Sequence, residues 1–108
     1  MPDSIHRLCA LVTALQDRIR EEVEAASGLA GTGPDALATI GLAPGLRVDE
    51  LAAMLRVSHS GAVRTVDRLA GAGLVVRRPA PDDRRRVALR LTDLGEHRRR
   101  LVLEARNR

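Results

Sequence analysis

The sequence predicts a mainly α-helical domain with one small β-hairpin, in the order helix, helix, helix, helix, strand, strand, helix. Three observations predict it. The N-terminal segment carries one apolar stripe at helical spacing. Two short amphipathic segments then flank a three-residue turn, Arg56-Val57-Ser58. Two β-type runs follow at once, on either side of a Pro/Asp/Arg cluster. A helix-turn-helix followed by a hairpin is a winged helix-turn-helix, here with a longer helix on each side. At 108 residues the chain reads as one domain. Its parts are an N-terminal helix over 4–27, the winged helix-turn-helix over 33–91, and a C-terminal helix over 92–108.

In the first helix, Ile5, Leu8, Val12, Leu15, Ile19 and Val23 recur at intervals of three and four, with Ser4 as the expected N-cap. The stripe either fills an intramolecular core or packs in part on a second chain. Ser27 to Gly33 is a small-residue linker. Thr32 or Gly33 is expected to cap a short helix, with Pro34 and Asp35 in its first turn and Leu37 and Ile40 inward. That helix stops at Pro44-Gly45. A second short helix over 50–55 turns Leu51, Ala52 and Leu55 inward. Ser58 caps the next helix, which buries Ala62, Val66 and Leu69 and ends in Gly71-Ala72-Gly73. Leu74 to Arg78 is a strand and Pro79 to Asp83 a turn. The return strand has Val87, Leu89 and Leu91 on its buried face. Thr92 caps the last helix, whose apolar face is Leu94, Leu101, Val102 and Ala105. Glu96, Arg100, Glu104 and Arg108 are spaced as i,i+4 pairs.

Charge is concentrated in the hairpin. Between Leu74 and Leu91 six arginines face two aspartates, a net of +4, which is the formal excess of the whole protein. Such a local excess points to a polyanion. The chain has no Phe, Tyr or Trp, so it lacks the stacking platforms that grip single strands. Duplex DNA suits it better. All 18 basic residues are arginine, a composition that a GC-rich genome accounts for and that also favours bidentate phosphate and guanine contacts. The single cysteine excludes an internal disulfide. Neither a signal segment nor an apolar run of membrane-spanning length occurs in the sequence. The expectation is a soluble cytoplasmic protein without membrane contact. HExxH, GxSxG, Walker A and Rossmann motifs are absent, which argues against an enzyme, and no cofactor is implied.

The segment from Leu46 to Gly95 resembles the MarR family of bacterial winged-helix transcription regulators. The resemblance rests on DELA (49–52), VS (57–58), VDRL (66–69), AGLVVRR (72–78), the D-x-R of Asp83-Arg84-Arg85, and LTDLG (91–95). It implies a homodimeric regulator, a repressor by family default, on a pseudo-palindromic duplex site. Helix 58–71 would enter the major groove and wing 79–86 the flanking minor groove. It further implies a dimer interface made by the first and last helices, and a small-molecule effector or oxidant sensed near it. The wing-orienting role of the family's D-x-R falls on Asp83, acting on Arg85. The chain departs from the family where Arg47 and Val48 replace the Thr or Ser that caps the helix before DELA; Asp49 is the substitute cap one turn later. It departs again where Arg56 replaces the turn glycine, and where the chain ends before a second C-terminal helix, so that the last helix reads as truncated.

Residues at the N-terminal end of a recognition helix meet base edges. These are Ser58, His59, Ser60, Gly61, Val63 and Arg64, with Arg68 one turn further on the same face. Arg64 can take guanine bidentately. Val63 either touches a thymine methyl or belongs to the core, and His59 either reads a base or is simply solvated. Asp67 on such a face would repel phosphate, so it is expected to pair with an arginine and hold helix to wing. On the wing, Asp83 would fix the Arg85 guanidinium as a fork entering the minor groove. Arg84 and Arg86 would contact phosphate. Two rival readings remain open. One is a winged helix that binds protein and not DNA. The other is a metal- or redox-responsive regulator using Cys9: His6 and Cys9 lie at i,i+3 on the first helix and His97 on the last, and together they would suit zinc. A buried core thiol is the simpler account of Cys9.

Overall fold

A computed structural model describes residues 2–107. The elements are α1 (Pro2–Ser27), α2 (Gly33–Leu42), α3 (Val48–Leu55), α4 (His59–Gly71), β1 (Val75–Pro79), β2 (Val87–Leu91) and α5 (Asp93–Arg106). β1 and β2 pair antiparallel, with Val75 opposite Leu91 and Pro79 opposite Val87. The fold is the expected one: mainly α, with a single hairpin. Leu46 adds a strand-like residue on the outer edge of β2. Leu89 donates its N–H to the Leu46 carbonyl at 2.8 Å, and Gly45 donates to the Leu89 carbonyl at 3.0 Å. Sequence patterning gave no sign of this bridge, because one residue is too short to show a period.

The main core joins α2, α3, α4 and the hairpin. Leu37, Ile40, Leu51, Val66, Leu74, Val75 and Leu89 are fully buried there. Each such aliphatic side chain contributes about 1.5–3 kcal/mol. The inward positions on α2, α3 and α4 are those the periodicity marks. The hairpin differs from strict alternation. Ala88 and Leu89 are buried as neighbours, while Val87 is exposed.

A smaller cluster joins α1 to α5 through Val23, Ala26, Val102 and Ala105. α1 departs most from an intramolecular core. Its helix begins at Pro2, so Ser4 lies inside it and is not a cap. Of the stripe only Val23 is buried; Ile5, Leu8, Val12, Leu15 and Ile19 are 42–62% exposed, and Leu11 beside them is 68% exposed. The helix projects from the domain and gives the molecule its 57 Å long axis.

α5 is seated by its N-terminus. Thr92 caps it, accepting from the Gly95 N–H at 3.0 Å, and the Thr92 hydroxyl donates to the Gly73 carbonyl at 2.6 Å. The expected i,i+4 ladder does not form among the described residues. Glu96 instead accepts from Arg99 one turn on, at 2.5 and 2.9 Å. That hydrogen bond holds the Glu96 carboxyl below the usual carboxylate range. Arg98 donates to the Ser27 carbonyl at 2.9 Å, supplying the cation that the last turn of α1 lacks. Leu94 is half-exposed and outside the core, and Arg108 lies outside the described residues.

α3 begins at Val48, two residues earlier than its sequence pattern, and Asp49 does not cap it. Glu50 does the work: its carboxylate accepts from the Arg47 backbone N–H at 3.1 Å and from Arg47 Nε at 3.0 Å. Arginine has no acceptor to return, so this is half of a capping box. The helix ends on Arg56 at φ 56°, ψ 44°, the left-handed conformation that glycine adopts without cost. An Arg56→Gly variant is expected to be more stable by about 0.5–1 kcal/mol, since relief of the Cβ clash exceeds the added backbone entropy. Urea unfolding with an unchanged m-value is the check.

Candidate nucleic-acid interface

α4 is placed by its two ends. At the start, the Ser58 hydroxyl accepts from the Gly61 N–H at 3.0 Å and lies 3.3 Å from the Ser60 hydroxyl. Ser58 is therefore engaged as N-cap. At the far end, Gly73 at φ 76° turns the chain from α4 into β1, and the Leu74 N–H closes on the Leu69 carbonyl at 2.9 Å. Between these anchors Ala62, Val66 and Leu69 face the core. Ser58, His59, Ser60, Arg64 and Arg68 are exposed, and Gly61 and Val63 are half-buried. Val63 thus sits at the edge of the core, with part of its side chain reaching solvent.

Asp67 is paired as its charge required. Its carboxylate accepts from Arg77 on β1, tying α4 to the hairpin. This removes a negative charge from the face that presents Arg64 and Arg68. Neither of those makes an ion pair among the described residues.

The loop between Pro79 and Val87 closes on itself. Ala80 donates to the Arg86 carbonyl at 2.9 Å and Arg86 donates to the Asp83 carbonyl at 3.0 Å. Asp83 orders this loop through the backbone, accepting the Arg85 N–H at 3.0 Å. Its contacts to Arg85 Nε (3.9 Å) and Arg86 Nε (3.7 Å) are looser. Asp83 and Arg85 thus pair as expected but loosely, and the Arg85 side chain is 96% exposed. The same carboxylate oxygen that accepts the Arg85 N–H holds the Arg85 guanidinium only at the limit of an ion pair. Arg84 and Arg86 are exposed beside it.

The zinc arrangement is not assembled within one chain. His6 and Cys9 are exposed on the projecting part of α1. α5 meets α1 near Ser27, about 27 Å further along that helix from Cys9. His97 is thus far from both, and no group of three or more metal-ligating side chains exists among the described residues. Nor is Cys9 the buried core thiol of the simpler account. No helix among the described residues is long and apolar enough to cross a membrane.

A helix-turn-helix with free arginines on its second helix, and an arginine-tipped hairpin beside it, defines a winged-helix DNA-binding protein. The chain belongs to the MarR family of winged-helix transcriptional regulators, whose family model matches residues 27–86. The YusO protein from Bacillus subtilis is 31% identical, with a TM-score of 0.79 over 99% of this chain and 75% of that one. The reduced form of MarR from E. coli is 27% identical, with a TM-score of 0.80 over 95% and 76%. FabT from Streptococcus pneumoniae, solved in complex with DNA, is 22% identical and shares the fold, with a TM-score of 0.81 over 93% and 74%. No curated protein sequence matches the chain.

Three structural determinants escaped the sequence reading. Leu46 pairs with β2, Gly95 makes a close contact with Leu74 just before β1, and Thr65 hydrogen-bonds the linker hydroxyl of Thr32. None leaves a periodic signal, since each depends on a partner at least twenty residues away.

Proposed function

We propose that the chain acts as a homodimeric, sequence-specific repressor on a pseudo-palindromic duplex site. In this reading α4, with its cap at Ser58, lies in the major groove and the wing over 79–86 in the flanking minor groove. Ser58, His59, Ser60, Gly61, Val63 and Arg64 face base edges, and Arg68, Arg84 and Arg86 contact phosphate. Arg85 enters the minor groove from a loop that Asp83 shapes. The observation that carries the reading is the set of uncommitted arginines on one helix face and one hairpin tip. Arg64, Arg68 and Arg84 have no acidic partner among the described residues, and Arg85 is almost wholly solvated.

The second chain is supported by α1. Six large apolar side chains along one helix, all exposed, exceed the scattered apolar exposure of an ordinary monomer surface. The domain reading follows: 4–27 and 92–108 serve dimerisation and 33–91 contacts DNA.

Selection of bound duplexes from a random pool, followed by titration over a salt series, tests the whole proposal. An enriched site with two inverted halves about one helical turn apart is expected. Arg84→Ala should flatten the slope of log K against log salt by about one phosphate's worth. Arg85→Ala should cost more, and mostly at A·T-rich flanks, where the minor groove is narrow. Weak, salt-independent binding to every duplex would favour the protein-interaction reading.

A further inference from the structure

Thr65 is a buried polar side chain on α4, 3% exposed, and none of the DNA-facing roles above uses it. Its hydroxyl has one proton and two lone pairs. The proton goes to the Gly61 carbonyl one turn back, at 3.1 Å. The oxygen must then accept from its two other neighbours, the Thr32 hydroxyl at 2.7 Å and the Arg68 guanidinium at 3.5 Å. Thr32 is therefore the donor in the shorter bond. Among the described residues, that bond is the only one joining the α1–α2 connection to α4.

Thr32 occupies the N-cap position of α2 yet makes no cap hydrogen bond, and its backbone is already helical at φ −81°, ψ −5°. A threonine in that place ordinarily turns its oxygen onto its own helix. Here the hydroxyl is directed at α4 instead. On this side of α4, Thr65 and Arg68 border two solvent-open grooves, one of about 640 Å³ beside Val57, Gly61 and Arg64, the other of about 240 Å³ beside Leu29 and Leu69.

We propose that Thr32 is a positioning residue for sequence readout. Its hydroxyl, bonded to Thr65, sets the roll of α4, and through Thr65 it places Arg68 and, one turn back, Arg64 against the groove. The connection carrying Thr32 leaves α1 through left-handed Gly28 and Gly31, so this hydroxyl pair is a polar link from the end of α1 to the recognition helix, beside the apolar packing of Leu29 on the core. The inference rests on the DNA-binding reading above.

The test compares wild type, Thr32→Val and Thr32→Ser against two probes at fixed salt: a duplex selected from a random pool and a scrambled duplex of the same length. Valine keeps the shape and removes the donor, whereas serine keeps the donor. Thr32→Val is expected to lose about five- to tenfold in affinity for the selected duplex, the equilibrium equivalent of one net hydroxyl bond. Affinity for the scrambled duplex should fall by no more than about twofold, since only the Arg68 phosphate contact is affected there, and Thr32→Ser should retain the wild-type ratio. A merely structural role would lower the melting temperature of Thr32→Val and move both affinities together. That result, an unchanged ratio in Thr32→Val, or a ratio lost equally in Thr32→Ser would overturn the proposal. Should Thr32→Val not fold, Thr32→Ala carries the same expectation. A wild type that does not discriminate between the duplexes sinks the DNA-binding reading, and this inference with it. A discriminating wild type beside an unaltered Thr32→Val sinks the inference alone.

Discussion

A Leu8→Glu/Leu15→Glu variant is expected to be monomeric and to bind its duplex site at least about a hundredfold more weakly than wild type. Both side chains lie on the projecting part of α1 and are about 60% exposed, so within one chain the substitution removes little packing. Glutamate is also a good helix former, and the helix should persist. In a dimer the same positions would be covered, and each buried carboxylate would lack a partner. Loss of the dimer halves the base and phosphate contacts and removes the link between half-sites, which is the source of most of the gap between specific and non-specific binding. Light scattering gives the oligomeric state and titration the affinity, while circular dichroism checks that the helices remain. A variant that stays dimeric and binds normally would show that the stripe is not the interface.

Gly95→Ala is expected to destabilise the fold by about 2–3 kcal/mol, lowering the thermal midpoint by roughly 10 °C or more. A β-carbon on Gly95 would stand 2.0 Å from the Leu74 carbonyl oxygen and 2.9 Å from its carbon. These are backbone atoms, and they cannot swing aside as a side chain does. The carbonyl is also in use, accepting the Thr92 N–H at 3.0 Å. Relief would require α5 to lift from the start of β1, breaking the Thr92 contacts and opening the core around Leu74. Gly71→Ala is the natural control, because nothing lies within 4 Å of its added carbon; the two midpoints should differ widely. Equal midpoints would mean that α5 is not held against β1 in this way.

The two predictions test the parts of the chain that the sequence resolved least. The apolar stripe of α1 was plain, but its destination was not: Ile5 to Ile19 have the spacing of a core-facing helix whether the core is their own or shared. Gly95 read only as part of a helix start. Its need for a bare backbone comes from Leu74, twenty-one positions earlier and brought close by the hairpin. The wing shows the same division. Its position and arginine content were legible, and so was the need of Asp67 for a cationic partner, which Arg77 meets. The function of Asp83 was only partly legible. Spacing marked it as an organiser, and the structure shows that it organises the loop backbone and pairs only loosely with the solvated Arg85 side chain.

The sequence by itself determined the element order, the inward faces of α2, α3 and α4, the caps at Ser58 and Thr92, and the concentration of positive charge in one hairpin. These follow from period, local propensity and composition, which act over a few residues and are written in consecutive positions. Only the tertiary structure decided that most of α1 stands clear of the core, that Leu46 extends the hairpin, that Arg98 closes the end of α1, and that Thr32 serves α4 rather than its own helix. Each is a pairing between distant segments, fixed when the main core closes and sets which surfaces meet. The fold class, set by the local pattern, was therefore readable in consecutive residues. The hydroxyl pair of Thr32 and Thr65, thirty-three residues apart, was not.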